Sequence, residues 1–387
     1  MSSDRWVAFA TYSNHVDHLI PIAALVGAPL VVPDDASAAV VRQAYPPIEV
    51  VIAGDGGIAR LGDARVILHS IRIPRQLVIR HDTAHKRFVC CPHGWSDKDW
   101  WLKWMALEDV FLSYGDATTQ MLQGAGTWQL VHRHVLAGDY RFRYYQRNKA
   151  AFDAAAESEL APWSLRGRQT AIYAPTWQDL ESASSLGTVL EPLIRVLPDD
   201  WNLIVKLHPF TTTAVATQVR ETLRRIPGRG AVLADHPLVL PFLARADVYI
   251  GDRSSVGYDY LCFDRPIVLM RSASRAASRY DLLAACSTEI AEGAIAESAE
   301  QIFGGDVDDR LRSSRARIRN QVFSPAPPDD VLRAALIAAC NGDLLRDGTR
   351  VPSEFLAERQ RLMPLLPRRV EDERITLRDI LVPAGPT

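Results

Sequence analysis

The sequence predicts an α/β protein with two doubly wound, Rossmann-like domains that face a cleft. Three observations support this fold class. Short, nearly continuous apolar runs alternate with helical patterns; the alternation stops near residue 165 and then restarts; and polar clusters directly follow several of the apolar runs. Such runs are typical of parallel strands that helices cover on both faces. The 387 residues are enough for two domains of ordinary size.

The first half of the chain contains a series of predicted strands with helices between them. The helical patterns cover 14–27, 36–45 and 117–126. The predicted strands are WVAFAT (6–11), PLVVP (29–33), IEVVIAGD (48–55), RVILHS (65–70), RFVCCPHG (87–94), VFLSYGD (110–116) and VHRHVLAGD (131–139).

A polar helix and a proline-containing connector at 142–169 interrupt this alternation. We therefore predict an N-terminal Rossmann-like domain over 1–165, a C-terminal Rossmann-like domain over 166–343 and a charged tail over 344–387. The predicted strands of the second domain are TAIYAPTW (170–177), NLIVKLHP (202–209), GAVLAD (230–235), ADVYIGD (246–252) and RPIVLM (265–270). The sequence leaves open whether the tail packs on the first domain, mediates oligomers or stays loose, and it leaves the oligomeric state open.

The bulk composition excludes several classes of protein. The net charge of −2 argues against a nucleic-acid-binding protein, and 48% hydrophobic with 23% charged residues is the range of globular proteins. Five cysteines without a CxxC spacing indicate a reducing compartment rather than a disulfide framework or a zinc site.

No secretory signal or membrane span is expected. The longest apolar stretch, 19–33, is too short to cross a bilayer and contains proline and glycine. We predict a cytoplasmic protein that could contact the inner face of the cell membrane peripherally.

The first polar cluster is CCPHGWSDKDWW at 90–101, directly after a predicted strand. Gly94 permits an unusual backbone conformation and a close approach of ligand. The ordinary pKa of an imidazole lies near neutrality, so His93 is a candidate general base. The alternative is a histidine in a surface loop.

Two further clusters follow strands of the second half. In YAPTWQD (173–179), Thr176 could donate a hydrogen bond to an anionic oxygen and Trp177 could form a pocket wall, or the pair could be a capping threonine beside a core tryptophan. In VKLHP (205–209), Lys206 and His208 share a strand face and could both contact anionic oxygens. The alternative for His208 is a core histidine.

The fourth cluster joins the strand at 246–252 to a predicted helix. Asp252 closes the strand, Arg253 follows, and Ser254 and Ser255 begin the helix. Free N–H groups at a helix start and two hydroxyls beside an arginine could bind a pyrophosphate. Simple capping would explain one serine but not the whole cluster.

Other histidines give weaker signals. His15 and His18 follow the first strand and could contact an acceptor. The pairs at 81 and 85 and at 132 and 134 lack supporting carboxylate or thiolate spacing, so we expect no metal site. No cofactor is predicted beyond a nucleotide-activated donor that serves as substrate.

Taken in order, these clusters resemble the CDP-glycerol glycerophosphotransferase family of teichoic-acid and capsule synthesis. The resemblance covers roughly residues 85–345 and is most specific in the last block. The segments that carry it are HGWSDKDWW, EDVFLSYGD with AGDYRFRYY, YAPTWQD, KLHPF and DHPLVLPFLARADVYIGDRSSVGYDYLCFDRPIVL.

The resemblance implies a GT-B fold and the transfer of glycerol phosphate from CDP-glycerol to a hydroxyl of a cell-surface glycan or lipid-linked acceptor, with release of CMP. Carried over by motif, His93 would take the acceptor proton and His208 would steady the donor phosphates. Ser254 and Ser255 would bind the pyrophosphate, and Asp252 would order that loop or contact the glycerol.

The chain departs from the family pattern at three places. Arg253 stands where the family often has tyrosine, the loop after His93 is acidic and rich in tryptophan, and Gly138-Asp139-Tyr140-Arg141 replaces a Gly-x-Pro-Arg signature. The acceptor, and with it the transferred group, could therefore differ. Two alternatives stay open: a GT-B glycosyltransferase that uses a nucleotide sugar or CDP-ribitol, and a non-catalytic GT-B scaffold.

Overall fold

The computed structural model describes residues 6–70, 86–97, 108–126, 128, 131, 133–177, 184–234, 236–271, 280–304 and 309–341. These residues form two compact units, each built on one all-parallel sheet. The first unit contains the described residues of 6–93, 108–144 and 323–341, and the second contains 94–97 and those of 145–322. The predicted fold class, α/β with two doubly wound sheets, is confirmed.

The sheet of the first unit has seven parallel strands in the order β3-β2-β1-β4-β5-β6-β7. Each lies within a segment that the sequence predicts as a strand, because both faces of the sheet are covered and most strand residues are apolar. The strands are β1 Trp6–Phe9, β2 Leu30–Val32, β3 Val50–Ile52, β4 Val66–His69, β5 Arg87–Cys90, β6 Val110–Ser113 and β7 His134–Leu136.

Helices connect these strands, and their ends follow local chemistry. Helix α1 ends where Gly27 adopts a left-handed conformation, with φ at 71°. Helix α2 begins where the side chain of Asp34 accepts a hydrogen bond from the amide of Ser37. The helices are α1 Ser13–Val26, α2 Asp35–Ala44, α3 Ile58–Asp63 after a π-helical turn at Ala53–Gly57, α4 Asp116–Gly124 and α5 Tyr140–Arg147.

The sheet of the second unit has six parallel strands in the order β10-β9-β8-β11-β12-β13. The sequence predicted the first five of these in chain order but not β13, which is short and contains a glutamate. The strands are β8 Gln169–Ala174, β9 Trp201–Lys206, β10 Gly230–Leu233, β11 Val248–Gly251, β12 Ile267–Arg271 and β13 Thr288–Ala291.

The helices of the second unit bury one apolar stripe each against this sheet. On α7 the buried residues are Val189, Leu190, Leu193 and Ile194, and on α8 they are Ala216, Val219 and Leu223. The helices are α6 Lys149–Leu160, α7 Leu186–Val196, α8 Thr213–Leu223, α9 Leu240–Leu243, α10 Ser255–Tyr260, α11 Ala299–Phe303 and α12 Arg312–Val322. Short 3₁₀ turns cover Ala161–Trp163, Leu261–Phe263, Ala284–Cys286, Glu292–Ala294 and Asp309–Leu311.

The division between the units differs from the predicted boundary near residue 165. Helix α6 belongs to the second unit, where the Arg245 guanidinium donates to the carbonyl oxygen of Asp153 at 2.8 Å. The polar surface of α6 resembled a linker in the sequence, whereas its buried side consists of Phe152 and Ala156.

After α12 the chain returns to the first unit, which the predicted domain limits of 166–343 did not include. The amide of Ser324 donates to the carbonyl oxygen of Tyr114 at 2.9 Å, and the Phe323 ring packs edge-on against the Tyr114 ring at 5.6 Å. Helix α13, Asp329–Asn341, follows, and Asp329 pairs with Arg143 at 2.9 Å. The predicted tail at 344–387 lies outside the described residues.

Within the described residues, no helix combines the length and apolar character needed to cross a bilayer.

The segment that returns to the first unit after α12 packs closely against a glycine of that unit. Gly138 has φ at +66°, and a Cβ there would lie 2.6 Å from the carbonyl oxygen of Ser324 and 2.7 Å from the backbone of Ala326. We expect Gly138→Ala to lower the thermal unfolding midpoint by several degrees, because the left-handed conformation alone costs alanine about 1–2 kcal/mol and the backbone contact adds to this.

The matched control is Gly187→Ala on α7, where a Cβ meets nothing within 4 Å. That change should leave the midpoint unchanged or raise it slightly, because alanine favours a helix over glycine. Equal midpoints for both variants in a thermal melt would contradict this account of the returning segment.

Candidate functional site

Polar loops gather at the carboxyl edge of the second sheet. Thr176 and Trp177 follow β8, His208 follows β9, and the segment 252–255 follows β11. Strands β9, β8 and β11 are neighbours and run parallel, so these three loops leave the sheet at the same edge. In doubly wound sheets this edge is where ligands bind.

Asp252 ties two of the loops together. Its side chain is buried, and Oδ2 accepts hydrogen bonds from the amides of Thr176 at 2.7 Å and Ser185 at 3.2 Å. Burial raises the pKa of the Asp252 carboxyl, while the hydrogen bonds from Ser185 and Thr176 act in the opposite direction. Asp252 therefore connects the end of β11 to the loop after β8 and to the start of α7.

Ser254 occupies the capping position of α10 but makes no capping hydrogen bond with its side chain. Its Oγ lies 3.3 Å from the hydroxyl of Tyr249, which is itself buried. Gly251, the last residue of β11 before this turn, lies close to β8: a Cβ added there would be 2.6 Å from the carbonyl oxygen of Ala174. Helix α10 has only six residues and therefore no long helix dipole. The main polar groups at this turn are the hydroxyls of Ser254 and Ser255.

Arg253 lies at the same turn and is engaged in two ion pairs. Its Nη2 is 2.8 Å from Asp281 and 2.5 Å from Glu289 on β13, and its side chain is 13% exposed. Two carboxylates thus balance its charge. A contact between Arg253 and a pyrophosphate would require this double ion pair to open.

Trp177, His208 and Phe210 form an aromatic cluster at the ends of β8 and β9. The His208 ring stacks on Trp177 with centroids 5.7 Å apart, and Phe210 packs edge-on against Trp177 at 5.0 Å. The amide of Phe210 donates to Nδ1 of His208 at 3.1 Å. An Nδ1 that accepts leaves the proton of the neutral imidazole on Nε2, so Nε2 of His208 is a hydrogen-bond donor and not a base.

Lys206 and His236 lie at the same edge. Lys206 ends β9, is 6% exposed and donates to the carbonyl oxygen of Leu207 at 3.1 Å. Burial and then the charge of Lys206 lower the pKa of His236 to about 4, while its hydrogen bond with the amide of Leu238 acts in the opposite direction. The His-Pro pair at 236–237, which follows β10, repeats the pattern of His208 and Pro209 after β9.

The carboxyl edge of the first sheet carries histidines. His93 follows β5 and is exposed, and the next residue, Gly94, has φ at +107°. The ring of His15 lies 5.3 Å from the ring of His93. Burial, followed by the charges of His93 and His69, lowers the pKa of His15 well below its ordinary value.

His18 is part of a buried network with a defined tautomer. Its Nδ1 lies 3.0 Å from the hydroxyl of Tyr114, which donates to the carbonyl oxygen of Pro92 at 2.7 Å. The hydroxyl of Tyr140 donates to the backbone oxygen of His18 at 3.2 Å. Because the Tyr114 hydroxyl already donates its proton to Pro92, Nδ1 of His18 must donate to the Tyr114 oxygen. Burial, then Arg141, His93 and His15, lowers the pKa of His18 well below its ordinary value.

Two buried polar pairs support this edge. Nε2 of His69 and Oε2 of Glu108 lie within hydrogen-bond distance at 2.9 Å, with each side chain 2% exposed, and Arg141 forms an ion pair with Asp17 at 2.6 Å. Arg141 is the last residue of Gly138-Asp139-Tyr140-Arg141, a segment in which the chain departs from the family pattern. The ion pair with Asp17 therefore gives this segment a structural role.

The acidic, tryptophan-rich segment after His93 anchors the chain to the second unit. Trp95 is 1% exposed and packs edge-on against Tyr258 of α10 at 4.4 Å. The hydroxyl of Tyr258 donates to the buried Asp97, which also accepts from the amide of Leu282 at 3.3 Å. Sequence reasoning treated this segment as part of a ligand loop and missed its anchoring residues. Residues 98–101 of the same cluster lie outside the described part.

Across the described ranges, no group of three or more histidine, cysteine, aspartate or glutamate side chains has an arrangement that could hold a metal ion. Histidines 81, 85 and 132 lie outside those ranges.

Residues 134–280 match the family model of CDP-glycerol:poly(glycerophosphate) glycerophosphotransferases, a segment of less than half the chain. It contains the polar loops after β8, β9 and β11. No curated protein matches the chain by sequence.

Solved structures share the fold. The wall teichoic acid polymerase TagF superposes with a TM-score of 0.62 at 14% identity, covering 88% of this chain and 88% of that chain. MnaA of S. aureus, in a co-structure with UDP, gives 0.54 at 11% identity over 86% of this chain and 95% of that one. A UDP-N-acetylglucosamine 2-epimerase described as putative, from Listeria monocytogenes, gives 0.54 at 12% identity over 87% and 96%. At such identities these likenesses establish the fold alone.

The chain contains two β-sheets of all-parallel strands, each connected by helices and each with polar loops at its carboxyl edge. These features define an α/β protein of the GT-B type. The family match over residues 134–280 confirms the resemblance seen in the sequence: the protein is a transferase similar to the CDP-glycerol glycerophosphotransferases.

The lowered pKa of His236 predicts a pH-dependent stability. Its ordinary value is 6.5 and its value in the folded protein is about 4, so between these pH values the unfolded chain binds more protons and stability falls as pH falls. The slope for one such group is about 1.4 kcal/mol per pH unit.

The variant His236→Asn keeps a side-chain acceptor for the amide of Leu238 and removes the titration. We expect chemical denaturation to show wild type losing stability relative to this variant as pH falls from 6.5 to about 4, with no such trend above pH 7. If the free energy of unfolding depended on pH in the same way for the two proteins, the lowered pKa of His236 would be contradicted.

Proposed function

We propose that the protein transfers glycerol phosphate from CDP-glycerol to a hydroxyl of a cell-surface glycan or lipid-linked acceptor and releases CMP. The observation that carries this proposal is the coincidence of the family match over 134–280 with three polar loops at one edge of the second sheet. A fold neighbour, a variant of the teichoic acid polymerase TagF, is known from a structure after a soak with CDPG.

The donor diphosphate fits the groups at this edge. Ser254 and Ser255 offer hydroxyls, and the Nε2–H of His208 is a further hydrogen-bond donor at this edge. Lys206 brings a positive charge to the end of β9. Trp177 supplies an apolar wall for the nucleotide, and Thr176 lies on the backbone that Asp252 orders. Arg253 remains a candidate only if its ion pairs open.

The acceptor hydroxyl attacks the β-phosphorus of CDP-glycerol. A new phosphorus–oxygen bond forms, the bond from the β-phosphorus to the bridging oxygen breaks, and CMP leaves with that oxygen. We assign the acceptor proton to His93, the exposed histidine after β5, while Gly94 allows the chain to turn directly beyond it. Positioning and charge stabilisation provide most of the rate in phosphoryl transfer, and a general base adds about 10²–10⁴-fold.

On this proposal the enzyme acts in teichoic-acid or capsule polysaccharide synthesis. It works in the cytoplasm, at the inner face of the membrane if its acceptor is lipid-linked, because a water-soluble nucleotide donor must meet the acceptor there. The proposal requires no metal or nucleic acid.

A second candidate is a transferase that uses a nucleotide sugar, or CDP-ribitol in place of CDP-glycerol. The observation in its favour is the fold shared with MnaA, which was solved with UDP, at a TM-score of 0.54. The choice of donor separates the two candidates.

Donor binding is tested by thermal stabilisation with CDP-glycerol, CDP-ribitol and UDP-sugars. We expect CDP-glycerol to raise the unfolding midpoint most, since a ligand at 100 times its Kd stabilises by about 2.7 kcal/mol. The double variant Ser254→Ala/Ser255→Ala should lose most of that rise, because both hydroxyls that face the diphosphate are removed.

The control for this experiment is Thr222→Ala, an exposed hydroxyl on α8 that donates to the carbonyl oxygen of Gln218. It should keep the full rise. Stabilisation by UDP-sugars alone would favour the second candidate, and stabilisation by no nucleotide would favour a non-catalytic scaffold.

The role of His93 is tested by His93→Ala. We expect kcat for transfer to fall by about 10²–10⁴-fold with the donor Kd little changed, because a base acts on the acceptor and not on the donor. His134→Ala is the control, a half-buried histidine of β7 bonded to Ser113 at 2.6 Å. A His93→Ala enzyme with the wild-type kcat would end the assignment.

A further inference from the structure

The carboxyl edge of the first sheet contains buried polar atoms that have no hydrogen-bond partner. Three of them, Oδ1 of Asn14, Nδ1 of His15 and Oγ of Ser70, follow the neighbouring strands β1 and β4. His15 and Ser70 are 3% and 5% exposed. Such atoms are rare in folded proteins, because a buried polar group that stays unsatisfied destabilises the fold.

These three residues leave the sheet from neighbouring strands. Asn14 and His15 begin α1, which follows β1, and Ser70 directly follows β4. Strands β1 and β4 are parallel neighbours in which Phe9 pairs with His69. The three unpartnered atoms therefore belong to adjacent loops of one edge, and His15 lies against the ring of His93 at 5.3 Å.

Several of the surrounding polar groups are paired. His18 and Tyr140 share the Tyr114 network, Asp17 pairs with Arg141, and His69 pairs with Glu108. Oγ1 of Thr118 and Nε of Arg141 also lack partners, but they follow β6 and β7, which are not sheet neighbours of β1 or β4. The missing partners at these three positions are those that a ligand would supply.

The chemistry of the three groups selects a neutral ligand. Asparagine and serine are uncharged, and burial lowers the pKa of His15 well below its ordinary value, so its imidazole is neutral. The nearby charges of Arg141 and Asp17 are already balanced in an ion pair. An amide oxygen, a neutral imidazole nitrogen and a hydroxyl together offer both donors and acceptors, and a pair of adjacent alcohol groups needs both.

We propose that Asn14, His15 and Ser70 form a binding site for a vicinal diol, the terminal polyol group of the acceptor. This inference rests on the proposed function, in which His93 takes a proton from an acceptor hydroxyl. One hydroxyl of the diol is held by the three unpartnered atoms, and its neighbour is the nucleophile presented to His93. The three residues are positioning and specificity groups, and His93 remains the base.

The first test compares two acceptors in steady-state transfer: a short glycerol phosphate oligomer, which ends in a vicinal diol, and the same oligomer ending in 1,3-propanediol. Wild type should prefer the diol by about threefold to tenfold in kcat/KM, the range of one neutral hydrogen bond. Ser70→Ala and His15→Leu should lose this preference through a higher KM for the diol acceptor. The donor Kd should not change.

Two features separate a binding role from a structural one. Ser70→Ala removes a buried hydroxyl that has no partner, so its thermal midpoint should stay the same or rise, whereas the KM for acceptor rises. His15→Asn retains a polar atom near the position of Nδ1 and should restore part of the preference that His15→Leu loses. The control is Tyr45→Phe, which removes a buried hydroxyl that donates to Asp17 at 3.2 Å. It should lower the midpoint and leave the acceptor KM unchanged.

A second measurement does not depend on turnover. Ligand-observed NMR of the glycerol phosphate oligomer should show binding to wild type and weaker binding to Ser70→Ala. Equal binding to both proteins, or no binding to wild type, would overturn the diol site. If the oligomer binds as expected but no donor is consumed, the proposed function fails and the diol site stands.

Discussion

The hydrogen bonds to the buried carboxylate of Asp252 hold the candidate donor site together. Asp252 accepts from the amides of Thr176 and Ser185, and so joins the end of β11 to the loop after β8 and to the start of α7. A carboxylate this deeply buried is tolerated only because backbone donors replace its water. The same turn carries Ser254, so the position of the proposed phosphate ligands depends on this one group.

The two sheet edges differ in charge, and the difference matches the proposed chemistry. The second edge has Lys206, hydroxyls and the Nε2–H donor of His208, which suit an anionic diphosphate. The first edge has the neutral imidazoles of His15 and His18, the hydrogen-bonded pair of His69 and Glu108, and the ion pair of Arg141 and Asp17. A neutral imidazole is the form that can accept a proton, and a neutral surface suits an alcohol better than an anion.

Much of the fold could be predicted, because parallel strands covered on both faces are apolar at most positions. The strand β13 was not recognised, since Glu289 is exposed and the strand has only four residues. The division between the units was also hard to place. The polar outer face of α6 resembles a linker, and its contacts with the second unit, such as that of Asp153 with Arg245, became visible only in the structure.

The candidate site was predictable where a polar cluster follows a strand, and less so where long-range pairing decides. Residues 93, 176–177, 206–208 and 252–255 were visible as polar clusters that follow apolar runs. The sequence could not show that Arg253 is engaged by Asp281 and Glu289, or that Trp95 and Asp97 pack on Tyr258. Those partners lie far away along the chain, and no local pattern records them.

The sequence by itself determined the alternation of strands and helices and the chemical types gathered near the strand ends, because periodicity and turn residues act over a few positions. Only the tertiary structure decided which of those groups are already satisfied and which, such as His15 and Ser70, are left without partners. Hydrogen bonding and burial depend on residues brought together by strand order, and that information exists only once the chain has folded.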